Sequence, residues 1–326
     1  MKRFFPAESI AIISRGELIG DALMKMPYLR ALRSVWPKAK ISWITSHEPT
    51  HLNTTLKEET SSLIDEFFIK PEWMSVKNGQ APAFDLVIDT RSYWEDALKS
   101  RFMLSHKLFI SPAFRYLFSD RHPSLCQPRF KHLHDALFQT VELAAGFKPE
   151  IKPYMAIPED LKARAKLLLP EGKIYIGLAP GAGGAVKKWP LENYEKVAQH
   201  QSELGRVPVF LLGPQEADIY ERLRVSVPSA IFPLQSFEAW GRSDISIGHT
   251  FAVASLLALA VTNDSGASHL LAAVDCPLVS LFGPTSAEKI APRVTRREVI
   301  TAKSFGSRSM DAIPVESVLT AIERLL

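Results

Sequence analysis

The sequence predicts an α/β protein of two consecutive doubly wound domains, and three observations carry that prediction. Short apolar runs alternate with stretches of helical period along nearly the whole chain, the pattern of β-α-β units and a parallel sheet. A proline-rich stretch starting at residue 148, "KPEIKPYMAIPE", interrupts the alternation and has no helical stripe. Strands of the second half end in polar or glycine-rich turns, as they do where ligands bind beyond the carboxyl ends of a sheet. The expected domains are 1–155 and 156–326, with a cleft between them as the natural site and the terminal helix free to pack back on the first domain.

The elements follow in order. "SIAIIS" (9–14) reads as a buried strand, and Ile19, Ala22, Leu23, Met26, Leu29 and Leu32 then recur at helical spacing up to Pro37. "KISWIT" and "FDLVIDT" are two further strands, and "FKHLHDALFQTVELAAGF" is a helix ended near Gly146. The second half gives "KIYIGLAPG", a helix over 190–204, "VPVFLLG", a helix over 215–224, and "AIFPL". A helix over 250–259, "AVTND", a helix over 266–274 and "PLVSLFG" complete it, before the amphipathic "IPVESVLTAIERLL".

Composition sets bounds. The 326 residues are 46% hydrophobic and 23% charged, an ordinary globular balance, and the net charge of +4 suits an anionic ligand while falling short of a nucleic-acid binder. The charge is uneven: Lys99, Arg101, Lys107, Arg115, Arg121, Arg129 and Lys131 face a single acid, Asp120, between Lys99 and His134. A solvated face explains such a stretch, and so does contact with a phosphate-rich substrate or an anionic membrane surface. The cysteines, Cys126 and Cys276, offer neither a metal spacing nor a disulfide framework, and no metal site is expected. The first apolar run is too short for a signal-peptide core, and "FAVASLLALAV" falls below the ~18 residues of a membrane span. A cytoplasmic protein is expected, at most peripheral to the inner face of the membrane.

The chemistry-bearing stretches sit at strand ends. In "VTNDSGASHLLAAV" (261–274), Asp264 and Ser265 precede a helix whose first residues include Gly266 and His269, an arrangement that suits phosphate; a capped helix with a satisfied histidine is the plainer reading. "LAPGAGGAVKKWP" (178–190) joins a strand to a helix beginning at Pro190. It is no Walker loop, lacking Gly-Lys-Ser/Thr, and Val186 spoils a dinucleotide fingerprint. Its glycines Gly181, Gly183 and Gly184 allow close backbone approach, and Lys187 supplies a point charge suited to a diphosphate. Glu216 in "FLLGPQEADI" stands where a carboxylate could accept from a ribose or offset a helix dipole. "GPTSAEKIAP" is a further loop at the same edge. In the first half, Asp21 follows Gly20 in "SRGELIGDALMKMP", either as an N-cap or as a general base.

Three segments together, "IGDALMKMPYLRALRSVWPKAKISWIT", "PGAGGAVKKWPLENYEKVA" and "VTNDSGASHLLAAVDCPLVSLFGPT", resemble glycosyltransferase family 9, the ADP-heptose:lipopolysaccharide heptosyltransferases. The resemblance implies a GT-B fold, two Rossmann-like domains with a nucleotide-sugar held mainly by the second. It implies that Asp21 is the catalytic base and that Lys187, two residues before Trp-Pro, contacts the donor phosphates. Asp264, Ser265, Gly266 and His269 then match the donor-binding motif, while Ala182 and Gly183 depart from the hydroxyl residues often found there. The implied reaction is inverting transfer of heptose from ADP-heptose to an anionic lipopolysaccharide inner-core acceptor, with no cofactor. Gly20, Arg115, Arg121 and Arg129 are the candidate acceptor contacts. No Asp-x-Asp occurs in the chain, so metal independence is expected. A nucleotide-sugar epimerase and a non-catalytic nucleotide-sugar-binding protein are the alternatives.

Overall fold

In the computed structural model the described residues are 3–74, 81–124, 130–150, 154–240 and 246–326, apart from the side chain of 239. They form two units, Met1–Pro153 and Tyr154–Leu326, so the boundary falls two residues before the expected one, inside the proline-rich stretch. Each unit holds one five-stranded parallel sheet, and together they have the domain composition of a GT-B fold.

The first sheet contains β1 (Ser9–Ser14), β2 (Lys40–Thr45), β3 (Glu66–Ile69), β4 (Phe84–Asp89) and β5 (His106–Ile110), in the order β3-β2-β1-β4-β5. The three central strands are buried on both faces, as crossover helices require. The helix Ile19–Val35 packs against Leu133–Ala145, with Tyr28 edge-on to Phe138 at 6.4 Å between centroids. Ala11, Ile13, Ile44, Val87 and Phe109 form a cluster with Phe68 and Trp73. The turn after β1 needs Gly16: its φ is +129°, and a Cβ there would lie 2.5 Å from the Glu48 backbone oxygen.

That turn also buries Glu17. Its carboxylate accepts from Ser14 Oγ, from Lys25 Nζ at 2.6 Å and from Trp43 Nε1 at 3.3 Å, with Lys25 5.3 Å above the Trp43 ring. The side chains of Glu17 and Lys25 are 0% and 11% exposed, so each charge depends on the other.

The second sheet contains β6 (Tyr175–Ala179), β7 (Val207–Phe210), β8 (Leu259–Asn263), β9 (Leu278–Phe282) and β10 (Arg297–Thr301), in the order β10-β9-β8-β6-β7. Alternate residues serve two separate cores. Ile176, Leu178, Phe210, Val261 and Leu281 pack against the helices Leu191–Glu203, Ala217–Ser226 and Val315–Leu325. Tyr175, Ala179, Val209, Ala260 and Leu278 pack against Glu159–Leu168, Ile247–Ala254 and Gly266–Ala272. The terminal helix buries Val318, Ala321, Ile322 and Leu325 in the core of its own unit. Cys276 lies in the opposite core, where burial pushes its thiol well above the ordinary range.

Several elements differ from the sequence reading. "AIFPL" is no strand: Ile231 makes an isolated bridge to Val209, and Pro233, which has no N–H to donate, opens a short 3-10 turn. The helix expected over 250–259 runs Ile247–Ala254, and β8 takes up the rest of the same apolar run. Pro190 is the extended N-cap of the helix Leu191–Glu203 and not its first residue.

Lys25→Ala leaves the Glu17 carboxylate buried without its cation and should cost about 3–5 kcal/mol of stability in urea unfolding. A loss below about 1 kcal/mol would contradict the view that the pair holds this turn.

Candidate functional site

In the second sheet β6 and β8 are neighbours, yet the chain leaves β6 toward β7 on one side and β8 toward β9 on the other. Such a switch point opens a crevice beyond the carboxyl ends of the two strands. The loops that rim it are 180–189 after β6 and Asp264–Ser265 after β8.

Lys187 closes the 3-10 turn Ala185–Lys187 in the first loop, and its Nζ lies 2.8 Å from Asp264 Oδ2. The lysine side chain is 33% exposed and the aspartate 6%, so the ammonium is held by a buried carboxylate while a third of the lysine side chain stays accessible. Thr285 Oγ1 donates to the same Asp264 oxygen at 2.7 Å from the loop after β9. Asp264 thus gathers three loops onto one carboxylate. An anionic group would be repelled by that oxygen and attracted by the lysine, which makes Asp264 an orienting acceptor and Lys187 the group able to meet a phosphate.

Ser265 is the N-cap of Gly266–Ala272 but makes no capping bond; its Oγ is buried with no partner among the described residues. Ser268 Oγ donates to Ser265 O at 2.7 Å, and His269, half-buried, sits in the same short helix. A Cβ at Gly183 or Gly184 would meet nothing within 4 Å, so the middle of the lysine loop borders open space.

Gly181 differs. A Cβ there would lie 2.6 Å from Glu216 Oε1, so the glycine is what lets that carboxylate approach the loop. Glu216 ends the 3-10 turn Pro214–Glu216, is 9% exposed, and accepts from the Gly213 N–H through Oε2 at 3.1 Å. Both of its oxygens border Gly181, at 2.6 and 3.0 Å from that Cβ position. Glu216, Lys187, Asp264 and Ser265 therefore converge on one sheet edge, as the sequence reading expects.

In the first unit, Leu18 is the N-cap of Ile19–Val35, so Asp21 is the third helical residue and not a cap. It is exposed, directly after half-buried Gly20, at the carboxyl edge of the first sheet. Arg115 is exposed within Phe114–Tyr116, three successive residues with φ of 44°, 58° and 65°, a left-handed turn costly for side-chain-bearing residues. Arg121 donates from one guanidinium nitrogen to Leu143 O and Ala144 O at 3.0 and 2.8 Å, offsetting the carbonyl end of the helix Leu133–Ala145. Arg129 and Cys126 lie outside the described residues. Among the described residues no three His, Cys, Asp or Glu form a metal-sized group, and no helix is long and apolar enough to cross a membrane.

Sequence reading missed three contributors. Thr285 sits in a loop read only as lying at the same sheet edge, Asn263 stands among the polar residues of 261–274 without a role of its own, and the buried pair of Asp89, at the end of β4, with Arg91, 2.7 Å apart, gives no motif.

The model of glycosyltransferase family 9 (heptosyltransferase) matches residues 77–311. The chain belongs to glycosyltransferase family 9. The match includes Lys187, Glu216, Asp264, Ser265 and Thr285, ends before the terminal helix, and begins after Gly20 and Asp21. A lipooligosaccharide heptosyltransferase 2 of Haemophilus influenzae is 31% identical over 160 residues, 47% of this chain and 45% of that protein. The crystal structure of a family 9 glycosyltransferase from Veillonella parvula superposes with a TM-score of 0.72 at 19% identity, covering 100% of this chain and 98% of the other. Escherichia coli heptosyltransferase WaaC with ADP gives 0.67 at 17% identity, covering 98% and 100%. This family 9 glycosyltransferase thus shares its two-sheet fold with them.

In the glycosyltransferase, Gly181→Ala must swing the Glu216 carboxylate away from the Gly213 N–H and should cost about 0.5–1.5 kcal/mol, the net worth of that hydrogen bond. Gly183→Ala and Gly184→Ala, which fill open space, should be neutral or stabilising by up to about 1 kcal/mol in thermal unfolding. Equal behaviour of all three would contradict the packing assigned to Gly181.

Proposed function

We propose that the protein transfers heptose from ADP-heptose to an anionic lipopolysaccharide inner-core acceptor, with inversion at the anomeric carbon. The observation that carries the reading is the Lys187 ammonium held 2.8 Å from buried Asp264 at the switch point of the second sheet, beside a loop open to a ligand. ADP as the nucleotide is supported by the likeness to WaaC with ADP, and the acceptor by the lipooligosaccharide heptosyltransferase relative.

In this reading Glu216 accepts from the donor ribose, and Ser265, Gly266 and His269 border the nucleotide. Gly181, Gly183 and Gly184 let the loop backbone approach the diphosphate, and Lys187 meets the charge that grows on it as the anomeric C–O bond breaks. The acceptor hydroxyl oxygen forms the new bond to that carbon while its proton passes to Asp21, and ADP leaves. Asp21 is suited to this as an exposed carboxylate in the first turn of a helix at a sheet edge. Arg115, exposed on its strained turn, is the acceptor contact assigned here; Arg121 has one nitrogen committed to helix carbonyls, and Arg129 remains a candidate from sequence. The mechanism needs no metal ion, because Lys187 supplies the cation. The acceptor brings the protein to the inner face of the membrane as a peripheral partner, and no nucleic acid is involved.

Calorimetry with ADP, GDP and UDP should rank ADP first, and Lys187→Ala should weaken ADP by about 1.5–3 kcal/mol. UDP binding as tight as ADP would overturn the donor assignment, and an unchanged affinity in the variant would leave Lys187 only a structural partner of Asp264.

Asp21→Asn separates base from scaffold. As a first-turn residue it should change stability by less than about 1 kcal/mol, whereas loss of a general base lowers turnover about 10²–10⁴-fold with ADP affinity kept. Turnover above half of wild type, with chemistry rate-limiting, would place the base elsewhere.

A further inference from the structure

We infer that Asn263 is the positioning residue that sets the lysine loop for the donor diphosphate. It ends β8 with its side chain fully buried. The amide spans the loop at its two ends: Nδ2 donates to Pro180 O at 2.8 Å, where the loop leaves β6, and Oδ1 accepts from the Trp189 N–H at 3.1 Å, where the loop returns. One side chain closes the stem of 180–189 with a donor and an acceptor on two separate atoms, as an amide supplies them.

The surroundings make this a clamp and not a casual contact. Trp189 is 1% exposed, donates from Nε1 to Ile313 O at 3.0 Å and packs edge-on against Tyr194. The Tyr194 hydroxyl in turn donates to Ala179 O at 3.3 Å, next to Pro180. Both loop ends are therefore fixed, while Gly183, Gly184 and Val186 between them face open space. Lys187 lies two residues inside the fixed end. Its 2.8 Å approach to Asp264, the residue after Asn263, depends on both partners being set from the same strand end. Without the amide, the Pro180 carbonyl and the Trp189 N–H would be buried unpaired, and the loop would gain freedom at the cost of Lys187's alignment. Asn263 touches no substrate in this account; it acts through Lys187. The inference rests on the reading of that loop as the diphosphate site.

The test has two readouts on the full chain. Trypsin cuts after Lys187 and Lys188, so nicking of the native protein reports loop opening without reference to any ligand. Asn263→Ala should speed that cleavage at least tenfold at an unchanged rate of global unfolding. ADP affinity by calorimetry should fall about tenfold or more in Asn263→Ala and in Lys187→Ala, and the double variant should fall no further than the worse single one. Asn263→Asp keeps the acceptor for Trp189 and loses the donor to Pro180; it should show faster cleavage and weaker ADP binding too, and it serves where the alanine variant does not fold. Unchanged cleavage in the folded variants overturns the clamp. Faster cleavage with losses of affinity that multiply in the double variant overturns action through Lys187. An unaltered ADP affinity in Lys187→Ala alone overturns the donor-loop reading itself, and is told apart because the cleavage result stands without it.

Discussion

Two parallel strands that leave their shared edge in opposite directions cannot keep pairing each other's backbone beyond the last residue; at β6 and β8 the Asn263 side chain takes over that task, and the next residue, Asp264, ties together side chains of the neighbouring loops. Much of the second unit's carboxyl edge follows from this constraint. The amide fixes the stem of one loop, and the carboxylate draws in Lys187 from that loop and Thr285 from another. Because both residues are nearly buried, neither can relax into water if a partner is lost. The result is a cation presented at a crevice, with the conformational cost of presenting it met during folding. That is the preorganisation an enzyme needs where a leaving group becomes charged.

The first unit applies the same logic to a different end. Its switch point lies between β1 and β4, and the turn after β1 buries a carboxylate, Glu17, that Lys25 neutralises from the following helix. Asp21 and Lys25 stand one turn apart on that helix, so the buried pair anchors the segment that carries the proposed base. At the end of β4, Asp89 forms a second buried pair with Arg91, which also donates to Asp96 O. Buried ion pairs are poor sources of net stability but strict about geometry. Their concentration at a sheet edge fits loops that must hold one shape.

The central strands were legible because they are buried on both faces and read as apolar runs. β3, β5 and β10 were not, since edge strands such as "EFFI" and "REVIT" keep charged, partly exposed residues. The helix 250–259 overran because "FAVASLLALAV" stays apolar from the helix into β8, leaving nothing to mark the turn near Ser255. Of the candidate site, residue types in turns could be read, and so Lys187, Glu216 and Asp264 stood out as candidates. What they touch could not, because it depends on strand order. The Lys187–Asp264 pair and the Asn263 clamp exist only once β8 is inserted beside β6. Asp21 was readable as a helix-start acid, but its place as third helical residue and not cap needed the backbone, where Leu18 precedes the first turn.

The most direct measurement of the central claim is a crystal structure of the protein with ADP. The account predicts the diphosphate over the 180–189 loop, with an oxygen about 3 Å from Lys187 Nζ and both Asn263 bonds to Pro180 and Trp189 intact. ADP bound away from the β6–β8 crevice, or seated there with Lys187 turned from the phosphates and the Asn263 bonds broken, would contradict it.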